Sequence, residues 1–144
     1  MPDSSENLSV ALFSEMFMAD QLARTALSKA LPKGMELSHF SVLNHLANAG
    51  EAKTPAGLAR TFHVTRGAMT NTLGKLEAAG YVHIRPDWDD ARRKQVSVSS
   101  SGKRVREEAL QAITPIFDDL IANLGADRVR AALPFLRDLR IQMD

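Results

Sequence analysis

"TRGAMTNTLGKLEAAGYVHIRPDWDDARRKQVSVSSSGK", residues 65–103, opens as a helix, passes through two short alternating runs and ends at the threshold of another helix. Thr65 is a helix cap, and Met69, Leu73 and Leu76 recur behind it at helical spacing, on one face. Gly80 then acts as a C-terminal stop. Beyond it the apolar period shortens to that of a strand. "YVHIR" sets Val82 and Ile84 on one side, and "KQVSVS" does the same for Val96 and Val98. Pro86 to Arg93 is the loop between them, so the stretch reads as a helix followed by a β-hairpin.

Upstream, "KTPAGLARTF" is another helix start. Thr54 can cap it, and Pro55 suits the first helical position, where a missing N–H is no loss. Leu58, Ala59 and Phe62 form its buried side. Only His63 and Val64 separate this helix from the one after Thr65, which makes a helix-turn-helix. With the hairpin behind it, the layout is that of a winged helix.

The flanks are helical too. Apolar residues at 8, 12, 16, 19, 23, 26, 27 and 30 predict a helix from about Leu8 to Leu31, ended by Pro32 and Gly34. A second should run from Ser38 as N-cap to Ala49, stopped by Gly50. After the hairpin, Ser99, Ser100 and Ser101 are cap candidates for a long helix. Its stripe is Val105, Ala109, Ala112, Ile116, Leu120 and Leu124, and Pro115 is expected to bend it. A last helix follows Gly125, with Pro134 a second bend or a break. The fold class is therefore mainly α with a small β-hairpin wing.

The chain has 144 residues, the size of one domain, and no cysteine, which excludes disulfides, thiol chemistry and cysteine-ligated zinc. No apolar run reaches membrane-spanning length, and "MPDSSENLSV" lacks the basic start and apolar run of a signal peptide. A cytoplasmic protein with no membrane partner is the expectation. The near-neutral total hides an asymmetry. Residues 60–106 hold ten Lys/Arg and four Asp/Glu, a net of +6, while the remainder holds eight and thirteen, a net of −5. A basic middle between acidic flanks points to a localised anionic partner, most simply nucleic acid.

On the helix after Thr65, the face opposite Met69, Leu73 and Leu76 carries Gly67, Thr70, Asn71, Gly74 and Ala78. It is small and neutral, with Arg66 at its N-terminal end and Lys75 at its edge. Exposed helix faces usually favour Glu, Lys or Ala, and glycine costs about 1 kcal/mol relative to alanine. Two glycines there suit a helix whose backbone must lie close to another surface, as in a DNA major groove. Thr70 and Asn71 would meet base edges, and Arg66 a guanine or a phosphate. In the loop "DWDDARRK", Asp90 is placed to hold the guanidinium of Arg92 for a narrow minor groove. Arg93 and Lys94 would contact phosphates. Trp88 is expected to pack against the hairpin.

The histidines carry no catalytic pattern. His39 and His45 lie about 240° apart on a helical wheel, and no nucleophile triad, phosphate-cradling loop or metalloprotease spacing appears. No enzyme, cofactor or metal site is expected.

These residues resemble the MarR (multiple antibiotic resistance regulator) family of bacterial transcription factors. The resemblance covers nearly the whole chain and is most specific in residues 64–103. There a Thr-started helix ends in Leu76-Glu77-Ala78-Ala79-Gly80, a hairpin follows with Asp90-Ala91-Arg92 at its tip, and Val98-Ser99-Ser100-Ser101-Gly102 opens the next helix. "LSHFSVLNHLA" resembles the family's second helix. The chain departs from the pattern at Gly57, Asn71 and Gly74, where the family carries an acid, often arginine and often an acid.

The resemblance implies a winged helix-turn-helix lobe, residues 36–104, embedded in a helical dimerisation part, residues 1–35 and 105–144. It implies a homodimer, acting as a repressor, on an inverted-repeat operator of double-stranded DNA. The DNA-binding set is then Thr65, Arg66, Gly67, Thr70, Asn71, Gly74, Lys75, Asp90, Arg92, Arg93 and Lys94. A small-molecule effector is also implied, with Phe17, Arg24 and His39 as candidate lining. A winged helix that binds protein instead of DNA is the competing reading, and the basic wing argues against it.

Overall fold

The computed structural model describes residues 4–144; the first three residues, which open the stretch read as lacking a leader, lie outside the described residues. The elements are α1 (Ser4–Ala30), α2 (Leu37–Ala49), α3 (Pro55–Thr61), α4 (Arg66–Ala78), β1 (Val82–Pro86), β2 (Lys94–Val98), α5 (Ser100–Leu124) and α6 (Ala126–Met143). The chain forms two compact units, one reaching to Ala109 and the other running from Leu110 to Asp144. No helix among the described residues is long and apolar enough to cross a membrane.

The core of the first unit joins α2, α3, α4, the hairpin and the start of α5. Leu43, Leu46, Leu58, Leu73, Leu76 and Val96 are its most deeply buried large side chains. Met69, Leu73 and Leu76 are the inward face of α4, as their spacing requires. The strands pair antiparallel with Val82 opposite Val98 and Ile84 opposite Val96. Lys53 adds a short third rung, exchanging backbone hydrogen bonds with Val96 at 2.9 and 2.7 Å. Arg106 of α5 donates to Asn44 Oδ1 at 3.1 Å and Asn48 Oδ1 at 2.8 Å, tying α5 to α2.

The caps explain where the helices stop. Thr54 Oγ1 accepts from Gly57 N at 3.0 Å, and Thr65 Oγ1 accepts from Ala68 N at 3.1 Å. Helix α3 ends with His63 in the left-handed region, φ 53°, and α4 ends the same way at Gly80, φ 81°. In both, the next two N–H groups return to the last turn: His63 N to Arg60 O and Val64 N to Ala59 O, then Gly80 N to Glu77 O and Tyr81 N to Leu76 O.

Two local expectations change. The N-cap of helix α2 lies two residues earlier than expected, at Glu36 rather than Ser38. Glu36 N–H donates to His39 Nδ1 at 3.2 Å, so a histidine occupies the returning position of a capping box. Of the bend or break open at Pro134 the break does not occur, since α6 continues to Met143, and α5 runs on through Pro115 as expected. Along α5 the buried stripe is Val105, Ala109 and Ile113, while Ile116, Leu120 and Leu124 are exposed.

The hairpin is locked to α4 and α5 at one junction. Ser99 N–H donates to Tyr81 O at 2.9 Å, and Ser99 Oγ donates to Gly80 O at 2.6 Å while accepting from Gly102 N at 2.9 Å. At Gly102 a Cβ would run into Tyr81 O and come within 2.9 Å of Val98 Cγ2. Backbone cannot yield as a flexible side chain does. Gly102→Ala is therefore expected to lower the unfolding free energy by on the order of 3 kcal/mol. Ser99→Ala, which leaves a buried N–H without its acceptor, should cost about 1–3 kcal/mol. Urea denaturation of both variants checks the order, and an unchanged midpoint for Gly102→Ala would refute the packing account.

Candidate nucleic-acid interface

Helix α4 presents the expected outward face. Arg66, Gly67, Thr70, Asn71, Gly74, Lys75 and Ala78 are exposed, and its cap Thr65 is exposed as well. A Cβ at Gly67 or Gly74 would meet nothing within 4 Å, so neither glycine is required by packing within the chain. The α4 carboxylate, Glu77, stands near the helix's C-terminal end.

Beside α4 lies a groove of about 390 Å³ walled by Thr54, Pro55, Ala56 and Arg60 of the α3 region, Arg66 and Thr70 of α4, and Arg92, Arg93 and Lys94 of the wing. Five cations and no carboxylate line it. The structure thus brings together Arg66, Thr70, Arg92, Arg93 and Lys94 from the expected set. Thr65, Gly67, Asn71, Gly74 and Lys75 lie along α4 outside this groove. The sequence reading missed Arg60 and Thr54. In the sequence Thr54 reads as a cap and Arg60 as one more charge, and nothing local to either marks it as facing the wing.

The wing explains its own mixture of charge. Asp90 Oδ1 accepts from both Arg92 N at 3.0 Å and Arg92 Nε at 3.1 Å, which aims the guanidinium while leaving it 91% exposed. The Arg92 side chain and then its backbone N–H hold the Asp90 carboxyl below the usual carboxylate range. Asp87 is likewise lowered, first by the Asp89 backbone N–H at 3.1 Å and then by the Gln95 amide at 3.0 Å. These two acids are consumed inside the loop. Trp88 corrects an expectation: it does not pack on the hairpin but is fully exposed.

The three effector candidates stand apart in character. Phe17 is 68% exposed, in tilted contact with Phe13 at 6.0 Å between ring centres. Arg24 pairs with Asp20 on the surface of α1 at 3.0 Å. His39 is buried and lines a second cavity of about 290 Å³ with Lys33, Met35, Lys75 and Tyr81 among its walls; neither Phe17 nor Arg24 walls it.

A two-helix reader with a basic wing is the architecture of a winged helix-turn-helix regulator, and the comparisons agree. Residues 33–93 match the model of the MarR family. The chain is 26% identical over 138 residues to the transcriptional activatory protein BadR of Rhodopseudomonas palustris, covering 93% of this chain and 79% of that protein. It is 30% identical over 106 residues to the multiple antibiotic resistance protein MarR of Escherichia coli, covering 73% and 72%. A crystal structure of a cysteine-to-serine mutant of E. coli MarR complexed with operator DNA matches with a TM-score of 0.82 at 26% identity, covering 92% of this chain and 96% of that one. The chain belongs to the MarR family of transcription regulators.

The clamp on Arg92 has a defined pH response. A lowered carboxyl pKa means that Asp90 is ionised at neutral pH and that the contact is lost only as pH falls through that lowered value. The Arg92 Nε–H resonance in nitrogen-resolved NMR should show slowed exchange at pH 6 in the wild type, and the protection should disappear in Asp90→Ala, which has no side-chain acceptor. Equal exchange in the two proteins would show that Asp90 does not hold the guanidinium.

Proposed function

We propose that the protein is a homodimeric transcription regulator that binds an inverted repeat of double-stranded DNA in the cytoplasm. The role is regulatory and non-enzymatic. The carrying observation is the continuity of the acid-free outward face of α4, open at Gly67 and Gly74, with a groove walled by five cations. Thr65, Gly67 and Gly74 let the α4 backbone approach the major groove. Thr70 and Asn71 read base edges there, and Arg66 takes a guanine or a phosphate. Lys75, Arg93 and Lys94 grip phosphates. Arg92, aimed by Asp90, enters the minor groove.

Residues 36–104 form the reading lobe in this proposal, and residues 1–35 and 105–144 pair with those of a second copy. What supports pairing is apolar surface left uncovered in one chain. Leu8, Phe17, Met18 and Leu22 on α1 are all more than 60% exposed, and Leu120, Leu124, Phe135 and Ile141 are 50% or more exposed. Occupying DNA that overlaps a promoter represses it, and this is the mode proposed. Response to a small-molecule effector belongs to the proposal. Of the three candidates, His39 lines a cavity of about 290 Å³.

Selection of binding sites from random DNA tests the reading, with recognition helices of the two copies set about 10 bp apart. An inverted repeat is expected, and sedimentation should give a dimer at micromolar concentration. A monomer bound to one asymmetric half-site would overturn it. Asn71→Ala should cost about 1–3 kcal/mol and relax preference at one position per half-site. Lys75→Ala should weaken all sequences alike and reduce the salt slope by about 1. Gly74→Glu should keep or raise stability, because glutamate is the better helix former, yet lower affinity or change the preferred sequence. If neither affinity nor preference moves in Gly74→Glu, that face of α4 does not lie against DNA.

A further inference from the structure

Trp88 is the only tryptophan of the chain, and it is exposed over its entire surface. Aromatic side chains bury roughly 150–250 Å² when they are covered, so a bare indole forgoes a large stabilisation. The loop is built to keep it bare. Asp87 N–H donates to Arg93 O at 3.0 Å, and Arg93 N–H donates to Asp90 O at 2.9 Å. The Asp87 carboxylate is held from one side by Asp89 N–H and from the other by the Gln95 amide. The residues on both sides of Trp88 are therefore tied down, while the ring itself stays in solvent.

The same loop carries Arg92, whose exposed guanidinium is aimed by Asp90. Its next residues, Arg93 and Lys94, wall the groove that Arg66 and Thr70 of α4 share. Position thus favours nucleic acid over protein as the cover for this ring: it stands four residues from an oriented arginine on the wing that borders the basic groove.

We propose that Trp88 is a second minor-groove reader of the wing, with its ring packed on the sugar wall beside Arg92 and its Nε1–H directed at the base edges. The inference rests on the DNA-binding reading above and adds a sequence preference to it. Indole is a hydrogen-bond donor only. The minor-groove edge of an A·T pair offers only acceptors, whereas a G·C pair presents the guanine amino donor. A·T pairs are therefore preferred where the wing lands. Apolar side chains are regularly inserted in minor grooves, so the ring face is suited to the site as well.

Because Trp88 is the single tryptophan, its emission reports on this position alone. The full-length protein is titrated with end-labelled duplexes recovered from random DNA by selection on the protein itself. Label anisotropy reads DNA binding, and acrylamide quenching of the indole reads whether the ring is covered. Both signals are expected to saturate together, with the bound indole shielded from acrylamide. Trp88→Ala should fold as the wild type by circular dichroism and lose affinity on the order of tenfold on duplexes with A·T at the wing position. Trp88→Phe should regain part of that affinity but no longer distinguish A·T from G·C there. DNA binding with the indole as open to acrylamide as in free protein would overturn the assignment and leave the DNA-binding reading standing. Absence of binding by anisotropy would end both. Shielding that grows with protein concentration in the absence of DNA would give Trp88 to a protein surface and overturn the proposal.

Discussion

The hydroxyl of Ser99 is bonded on two sides at once, and the placement of the wing depends on it. It donates to the carbonyl that ends α4, at Gly80, and accepts from the N–H of Gly102 at the start of α5. Its own N–H goes to Tyr81 O. The end of α4, the hairpin and the start of α5 meet at this side chain. Gly102 is the condition for the meeting, since any Cβ would occupy the space of the Tyr81 carbonyl. Gly80 supplies the turn out of α4 with a positive φ that a residue with Cβ adopts at a cost. The angle between the outward face of α4 and the hairpin is set here, by backbone contacts with little freedom to relax.

From that junction the hairpin reaches back along α4, and its charges become intelligible. A loop with three acids is a poor phosphate neighbour if those acids are free. Asp87 and Asp90 are not free: one braces the loop and the other directs an arginine. Asp87 and Asp90 act as structural acceptors for backbone N–H groups, one amide and one guanidinium. The cations on the groove side, Arg92, Arg93 and Lys94, are left to face Arg66 and Arg60 across about 390 Å³ of open space. Like charges gathered in this way repel one another, and an anion relieves the repulsion. The arrangement is a local electrostatic cost that a phosphate backbone offsets.

Much of the fold was legible in residues 54–103 because its signals are local. A cap needs its acceptor three residues from its donor, and Thr54 and Thr65 both show that spacing. The α4 face needs only the helical period, so Met69, Leu73 and Leu76 go inward and Gly67, Asn71 and Gly74 outward without knowledge of the partner elements. The hairpin's apolar side follows from alternation, which puts Val82 with Ile84 and Val96 with Val98, while the pairing of Val82 with Val98 and Ile84 with Val96 came with the structure. The Asp90–Arg92 clamp spans two residues and was equally accessible.

By itself, then, the sequence determined the order of the elements, the inward and outward faces of α4, the apolar side of each strand and the identity of the wing motif. Each depends on periodicity or on bonds spanning a few residues. Tertiary structure decided the rest. Lys53 pairs with Val96 across more than forty residues, and Arg60 joins the basic groove only because α3 packs against α4 beside the wing. Glu36 displaced Ser38 as the α2 cap because His39, one turn on, returns a nitrogen to it. Trp88 went to solvent although an indole alone would be assigned to apolar packing. The bonds that hold its neighbours fix the backbone direction first, and a side chain of any hydrophobicity follows its Cα. Composition carries preference, whereas the closed set of backbone contacts carries position.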